Sequence, residues 1–447
     1  MNNQDARKRL KPIWKLVDQF QQLESDFLNG DAESMPEMRR LLPRLLKNLD
    51  DLRSVSEPDE EVQQMIMLLP DIARLAIYDH LSPAERLEIF SNAHADAEKY
   101  GFEFAAAMFY RDVGASLQDL GRLNEAVEVL SKSVETFAFI EEIRGDLGLV
   151  VSDLSTCFRE CGRLLEAKEA ALDAVRLLNE VEDTENSASA LSSLGAIHYE
   201  LGEMEEAEKV LLIAAERQQK AGMLSELAAT HGNLSSVYSE CGQHEKALEY
   251  AKRSLIQLRI DRNMPEIAIR LVNMASFTRE SGSTVDALKI AKEAELIAKD
   301  FELSVTECQA IIEQADCQFE LDQMAEACEL LIEAERISRI SGSSQNVAAA
   351  LSLHGRILVD LHEHESAIRM LSDARALFET AADRSGIAGV DHHLSIAYQA
   401  MGCQEKARGF AISSFQLYRE IPHRRADDVR AWAGETLGMT SRDFKDE

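Results

Sequence analysis

Proline and aromatic side chains are scarce in this chain: eight prolines in 447 residues, and aromatics at only 6 %. Strands favour aromatic and β-branched residues, so the shortage argues against a sheet-based core and leaves the field to good helix formers. Basic charge is also short. Forty-eight Lys and Arg face 79 Asp and Glu, for a formal net charge of −31. Such a chain repels nucleic acid, which is held through Lys and Arg on phosphates, and repels an anionic leaflet. No apolar run approaches the roughly 18 residues of a spanning helix. The opening MNNQDARKRLKPIWKLV has basic residues but no apolar core of roughly 7–15 residues behind them, a poor secretion signal. A soluble, cytoplasmic protein is expected, without nucleic-acid or membrane partners. Cysteines 157, 161, 241, 308, 317, 328 and 403 include no C-x-x-C pair. They read as reduced, buried apolar side chains and not as disulfides or a metal framework.

What the chain has is periodicity. DLGRLNEA (119–126), ECGRLLEA (160–167), ELGEMEEA (200–207), ECGQHEKA (240–247) and ESGSTVDA (280–287) align. ELDQMAEA (320–327), DLHEHESA (360–367) and AMGCQEKA (400–407) continue the series. The closing alanines are 41 residues apart once and 40 apart six times. Glycine occupies the third position in six repeats; Asp322 and His362 replace it in the other two. A reversing helix needs a left-handed residue after its last turn, which glycine adopts without penalty and Asp or His more readily than most. The alanine suits two antiparallel helices approaching closely beside the turn. Each repeat is therefore expected to be a hairpin of helix A and helix B, with stacked hairpins sharing one core. Second breaks, between repeats, are expected near Gly222, Gly145, Asn263, Gly342 and Gly386.

This pattern resembles the tetratricopeptide (TPR) family. The third repeat supplies Leu194, Gly195, Gly202, Ala207, Leu211 and Ala214; the fourth Leu234, Tyr238, Gly242 and Ala247; the eighth Leu394, Tyr398, Gly402 and Ala407. The family period is ~34 residues, and the longer one here resembles kinesin light chain, cell-polarity adaptors and bacterial receptors for signalling peptides. The resemblance implies an all-α, right-handed α-solenoid of about eight or nine helical hairpins, with a helical N-terminal region and a C-terminal capping helix. The domains expected are 1–60, an N-terminal helical region; 61–100, a degenerate repeat or cap; 101–420, eight repeats; and 421–447, a capping helix and tail. Within them Pro12 should break the first helix early, Pro43 should lie inside the second, and Ser82-Pro83-Ala84-Glu85 should start a helix. Val429, Trp432, Ala433 and Leu437 share a face suited to covering the last hairpin.

No catalytic signature is present: no phosphate loop, no H-E-x-x-H, no nucleophile elbow. LHEHES (361–366) and DHHL (391–394) invite a metal reading, but the first falls on a turn where polar residues are expected. No enzyme activity, metal or cofactor is expected. Counting the turn glycine as position 15, positions 2, 6, 9 and 13 of helix A share one face, the face that contacts ligands in TPR proteins. Position 13 reads Asp119, Glu160, Glu200, Glu240, Glu280, Glu320, Asp360 and Ala400. A carboxylate there opposes the helix dipole. Asp112, Asp153, Glu313 and Asp316 lie on the same face, with Arg356 the one base placed there. The row reads either as an acidic groove for a basic, extended partner segment, or as acids paired with local bases such as Arg159, Arg279 and Arg163, or as repeat inheritance. In the similar families an Asn at position 6 holds a ligand's backbone amide, a role implied for Asn233 and Asn273. The inner face lacks the Lys and Arg of a carboxylate clamp.

Two functions follow. The first is a non-catalytic scaffold or adaptor binding a protein or peptide partner, basic and extended, along the A-helix groove. The second is a peptide-responsive regulator in which the repeats control the N-terminal helices. Self-association stays open.

Overall fold

The computed structural model describes residues 3–29, 31, 33–138, 144–381, 383–420, 425–440 and 442–444. The expected boundary at 421 lies outside them. The chain divides into two compact units, residues 1–197 and 198–447. Among the described residues there are 22 helices and no strand. In the first unit they are α1 (Asn3–Leu28), α2 (Ser34–Arg53), α3 (Glu60–Ile72), α4 (Arg74–His80), α5 (Pro83–Tyr100), α6 (Glu103–Asp119), α7 (Leu123–Ala138), α8 (Arg144–Glu160) and α9 (Leu164–Glu180). The division falls within α10 (Thr184–Glu200). The second unit continues with α11 (Met204–Ala221), α12 (Leu224–Glu240), α13 (His244–Ile260), α14 (Met264–Glu280), α15 (Thr284–Asp300) and α16 (Ser304–Glu320). It ends with α17 (Met324–Ser341), α18 (Ser344–Asp360), α19 (His364–Thr380), α20 (Arg384–Ala400), α21 (Gln404–Glu420) and α22 (Arg425–Leu437). From α5 to α9 in one unit, and from α11 to α22 in the other, each helix packs on the next.

The turn chemistry explains the regularity. All eight positions read as turn residues have positive φ: Gly121, Gly162, Gly202, Gly242, Gly282 and Gly402, and also Asp322 at 60° and His362 at 62°. Each turn closes with the paired bonds of a Schellman motif. In the fourth repeat Gly242 N–H donates to Ser239 C=O at 2.8 Å and Gln243 N–H to Tyr238 C=O at 2.8 Å. His362 and Glu363 make the same bonds to Val359 and Leu358, at 3.1 and 2.9 Å. The eight alanines, 126 through 407, are each completely buried.

Three expectations need correction. The helix does not break at Pro12: α1 runs through it, with Leu10, Ile13, Leu16 and Val17 all buried on one face. Pro12 itself is exposed, so the carbonyl it frees can bond to water. Gly145 and Gly386 are not breaks but lie in the first turns of α8 and α20. At Gly386 the reason is packing, since a Cβ would sit 2.5 Å from the Phe378 ring. At Asn263 the left-handed residue is its neighbour Arg262, φ 55°, while the Asn263 side chain caps α14. The stretch expected as a degenerate repeat or cap holds three helices, α3, α4 and α5.

Other local readings agree with the structure. Ser82 and Glu85 form a full capping box at the start of α5. Pro43 lies within α2. Val429, Ala433 and Leu437 of α22 are buried, and Trp432 meets His392 edge-on at 5.4 Å.

Candidate functional site

In the second unit the A helices α12, α14, α16, α18 and α20 approach one another more closely than the B helices between them do. They form the tighter, inner layer of that unit. Along α12 the inner positions are Ala229, Asn233, Ser236 and Glu240; along α14 they are Ile269, Asn273, Ser276 and Glu280. Along α16 they are Gln309, Glu313, Asp316 and Glu320.

These acids do not form one uniform row. Arg279, the last-but-one residue of α14, reaches forward to the next A helix and not to its neighbour Glu280. It bonds Glu313 at 2.7 Å, Asp316 at 3.4 Å and Glu320 at 2.8 Å. Arg356 of α18 adds a 3.4 Å contact to Asp316 from the other side and lies over the Phe319 ring at 4.6 Å. The guanidinium of Arg279 is only 14 % exposed. Burial acts to lower its pKa, but the charges of Asp316 and Glu313 outweigh it and hold the pKa above its ordinary value. Burial raises the pKa of Glu313, and Arg279 only partly offsets that. So Glu313, Asp316 and Glu320 already hold a cation of their own chain.

The section formed by α12 and α14 differs. Position 12 there is Ser239, not arginine, and its hydroxyl donates to Glu280 at 3.2 Å. His244 Nδ1 lies 3.6 Å from the same carboxylate. Glu240 is exposed and has no ion-pair partner among the described residues. Asn233 and Asn273 are half-buried, and their amides make no hydrogen bond among the described residues. Glu200 is exposed at the end of α10. Tyr199 records the local field: burial first, then Glu240 and Glu200, push its phenol up to about 12. A pocket of about 500 Å³ opens where α12 and α14 begin, lined by Ser225, Ala229, Leu258, Asp261, Asn263, Glu266 and Arg270. Arg270 bonds Glu266 at 3.3 Å and packs on the Gly232 backbone, where a Cβ would meet it at 2.5 Å. Its Nε is buried without a partner among the described residues.

The first unit compensates most of its inner-face acids. Arg74 and Tyr78 both reach the buried Asp112, each at 3.1 Å. Arg111 bonds Asp153 at 2.5 Å and Arg86 bonds Asp119 at 2.7 Å. Glu160 is exposed with no ion-pair partner among the described residues.

Of the acids singled out in the sequence, then, Asp119, Asp153, Glu313, Asp316 and Glu320 hold arginines. Glu240 and Glu280 stand beside Asn233 and Asn273 without an arginine, and Glu200 and Glu160 are exposed. The arginine partners were not legible as partners. Their signal is a spacing of about one repeat, 34 to 41 residues for Arg279, which local pairing rules of three or four residues do not reach. The pocket gave no signal in the sequence. Among the described residues no group of three or more His, Cys, Asp and Glu is placed to hold a metal, and no helix is long and apolar enough to cross a membrane.

Comparison with known proteins adds a repeat match and a likeness of fold. The tetratricopeptide repeat model matches residues 186–259, the segment that contains α11, α12 and most of α13. No curated protein matches the chain. Among solved structures, a Rap protein complexed with competence and sporulation factor is similar at 13 % identity and TM-score 0.51, over 91 % of this chain and 99 % of that one. The apo quorum sensor NprR from B. thuringiensis matches at 14 % identity and TM-score 0.51, over 75 % and 98 %. The apo form of RapI matches at 16 % identity and TM-score 0.50, over 59 % and 96 %. At these identities the likeness is one of fold. The hairpins within residues 186–259 match the tetratricopeptide repeat, and the other hairpins share their spacing, Schellman turns and buried alanines.

Proposed function

We propose that the protein is a non-catalytic interaction scaffold that binds an extended, basic peptide segment on the inner face of α12 and α14. The observation that carries this reading is the pairing of two unengaged amides, Asn233 and Asn273, with carboxylates that no arginine neutralises, Glu240 and Glu280. A side-chain amide both donates and accepts, so it matches the peptide group of an extended chain in either register. Two turns further on, the carboxylates meet a lysine or arginine of that chain. The pocket beside Ala229 receives a side chain from the segment. Glu200 extends the acidic strip on the side of α10. Glu313, Asp316 and Glu320 set the far limit of the strip, because Arg279 occupies them.

A regulator reading also has support in fold: NprR is a quorum sensor, and a Rap protein is seen complexed with competence and sporulation factor. In this chain α1 to α4 pack among themselves and on α5. Arg53 joins α2 to Asp96 of α5 at 2.6 Å. That arrangement extends the helical layers at the start of the chain and favours the scaffold.

The test is a pull-down from native lysate with wild type and with the triple substitution Glu200→Gln, Glu240→Gln, Glu280→Gln. Each exposed contact contributes about 0.2–1 kcal/mol, so partners should be retained roughly tenfold less by the variant at low salt. Salt of about 0.5 M should produce a similar loss in wild type. An unchanged partner set sinks the proposal.

A further inference from the structure

The outer layer of the second unit carries a surface that its own fold leaves uncovered. Counting from the buried alanine of each B helix, the fifth, ninth and thirteenth residues beyond it face outward. On α13 these are Lys252, Ile256 and Ile260; on α15, Lys292, Leu296 and Asp300; on α17, Ile332, Arg336 and Ile340. The five aliphatic side chains are between 61 % and 74 % exposed. In the flanking B helices α11 and α19 the fifth, ninth and thirteenth places hold Leu212, Glu216 and Lys220, and Ser372, Ala376 and Thr380, a single exposed large aliphatic between them. Single exposed aliphatics are ordinary, but aliphatics recurring on the outward faces of three successive B helices mark a contact surface. Arg259 of α13 bonds Glu293 of α15 at 3.0 Å, so these two helices lie side by side with a shallow trough between them. Ile256 and Ile260 line one bank and Leu296 the other.

In a chain of net −31 the charges along this trough are divided, with Asp300 toward its far end and two lysines toward the other. Glu249 is taken up by Arg253 at 2.5 Å and Glu293 by Arg259. Lys252 and Lys292 form no ion pair among the described residues, and they stand at the same level, one turn before Ile256 and Leu296. We propose that the α13–α15 trough docks an amphipathic helix of a partner protein whose apolar stripe is flanked at one end by carboxylates. Apolar residues at four-residue spacing rest between Ile256, Ile260 and Leu296. Acidic residues about 6 Å along the axis, one turn away, reach Lys252 and Lys292. This surface is on the layer opposite the inner face, so it stands or falls independently of the peptide reading.

The full chain is titrated into a fluorescent synthetic helix of roughly 16 residues, long enough to hold helicity. The helix has leucines at four-residue spacing and glutamates in the turn at one end. A twin carries lysines in place of the glutamates. Wild type should bind the acidic helix at least tenfold more tightly than the twin, and Ile256→Glu with Leu296→Glu should lose at least tenfold. Lys252→Glu with Lys292→Glu, which leaves the apolar residues in place, should reverse the preference. Circular dichroism melting should match wild type in both variants, as surface changes predict. Equal binding of the two helices, or unchanged binding by the variants, overturns the proposal. So does a dimer in sedimentation that Ile256→Glu with Leu296→Glu converts to monomer, which assigns the trough to a second copy. Binding to phosphatidylserine vesicles lost in the same variant assigns it to a lipid surface and overturns it as well.

Discussion

The α12–α14 and α14–α16 faces are built from the same repeat, yet one keeps its carboxylates clear of arginine and the other clamps them. The difference traces to one position. Arg279 in α14 reaches Glu313 and Glu320, 34 and 41 residues ahead. The equivalent residue in α12 is Ser239, which reaches Glu280, again 41 residues ahead, with only a hydroxyl. A long cation spans two A helices and neutralises an inner-face acid; a short hydroxyl leaves the charge in place. The charge left on the inner face of a repeat is therefore decided by its neighbour's twelfth residue as much as by its own thirteenth.

The comparison can be broken most strongly at Arg279. Arg279→Met should lower stability by about 3–5 kcal/mol in urea unfolding, because the buried Glu313 and the half-buried Asp316 lose their principal cation. A loss below about 1 kcal/mol would show that the clamp is ornamental. A transplant sharpens the contrast: Ser239→Arg should carry the clamp one repeat back. It should weaken binding of a labelled oligo-lysine peptide roughly tenfold, with folding intact. A control lies outside both faces. His362 pays for a left-handed conformation that costs about 1–2 kcal/mol in a residue with a Cβ; His362→Gly should raise the unfolding free energy by about 1 kcal/mol. The smallest effect concerns pH. The pKa of Glu313 is raised by burial in the folded protein, so the folded state binds its proton more readily than the unfolded state does. Its contribution to stability is therefore present at low pH and lost as pH rises through the folded pKa. Glu313→Gln should be the more stable form at neutral pH, and its advantage should shrink as pH falls through that window. A gap independent of pH would remove burial of the ionised carboxylate as the cause.

Much of the architecture was legible because it is local. Turn residues, alanines and the cap at Ser82 act within a few residues, and the left-handed conformations at Asp322 and His362 follow from their place in the period. Pro12 misled because sequence shows a lost hydrogen bond but not that the proline lies on the exposed face of α1. Gly386 misled because its purpose is a ring from the preceding helix. The site was half legible. Position 13 was legible as a row of acids, but which of them an arginine holds depended on residues a repeat away.

By itself the sequence determined a stack of 40-residue hairpins, since period, turn and close approach are short-range steric facts repeated eight times. Only the tertiary structure decided where charge remains available. An arginine's reach across neighbouring helices depends on how hairpins are stacked, and the same stacking left the Ile256, Ile260 and Leu296 side chains facing outward.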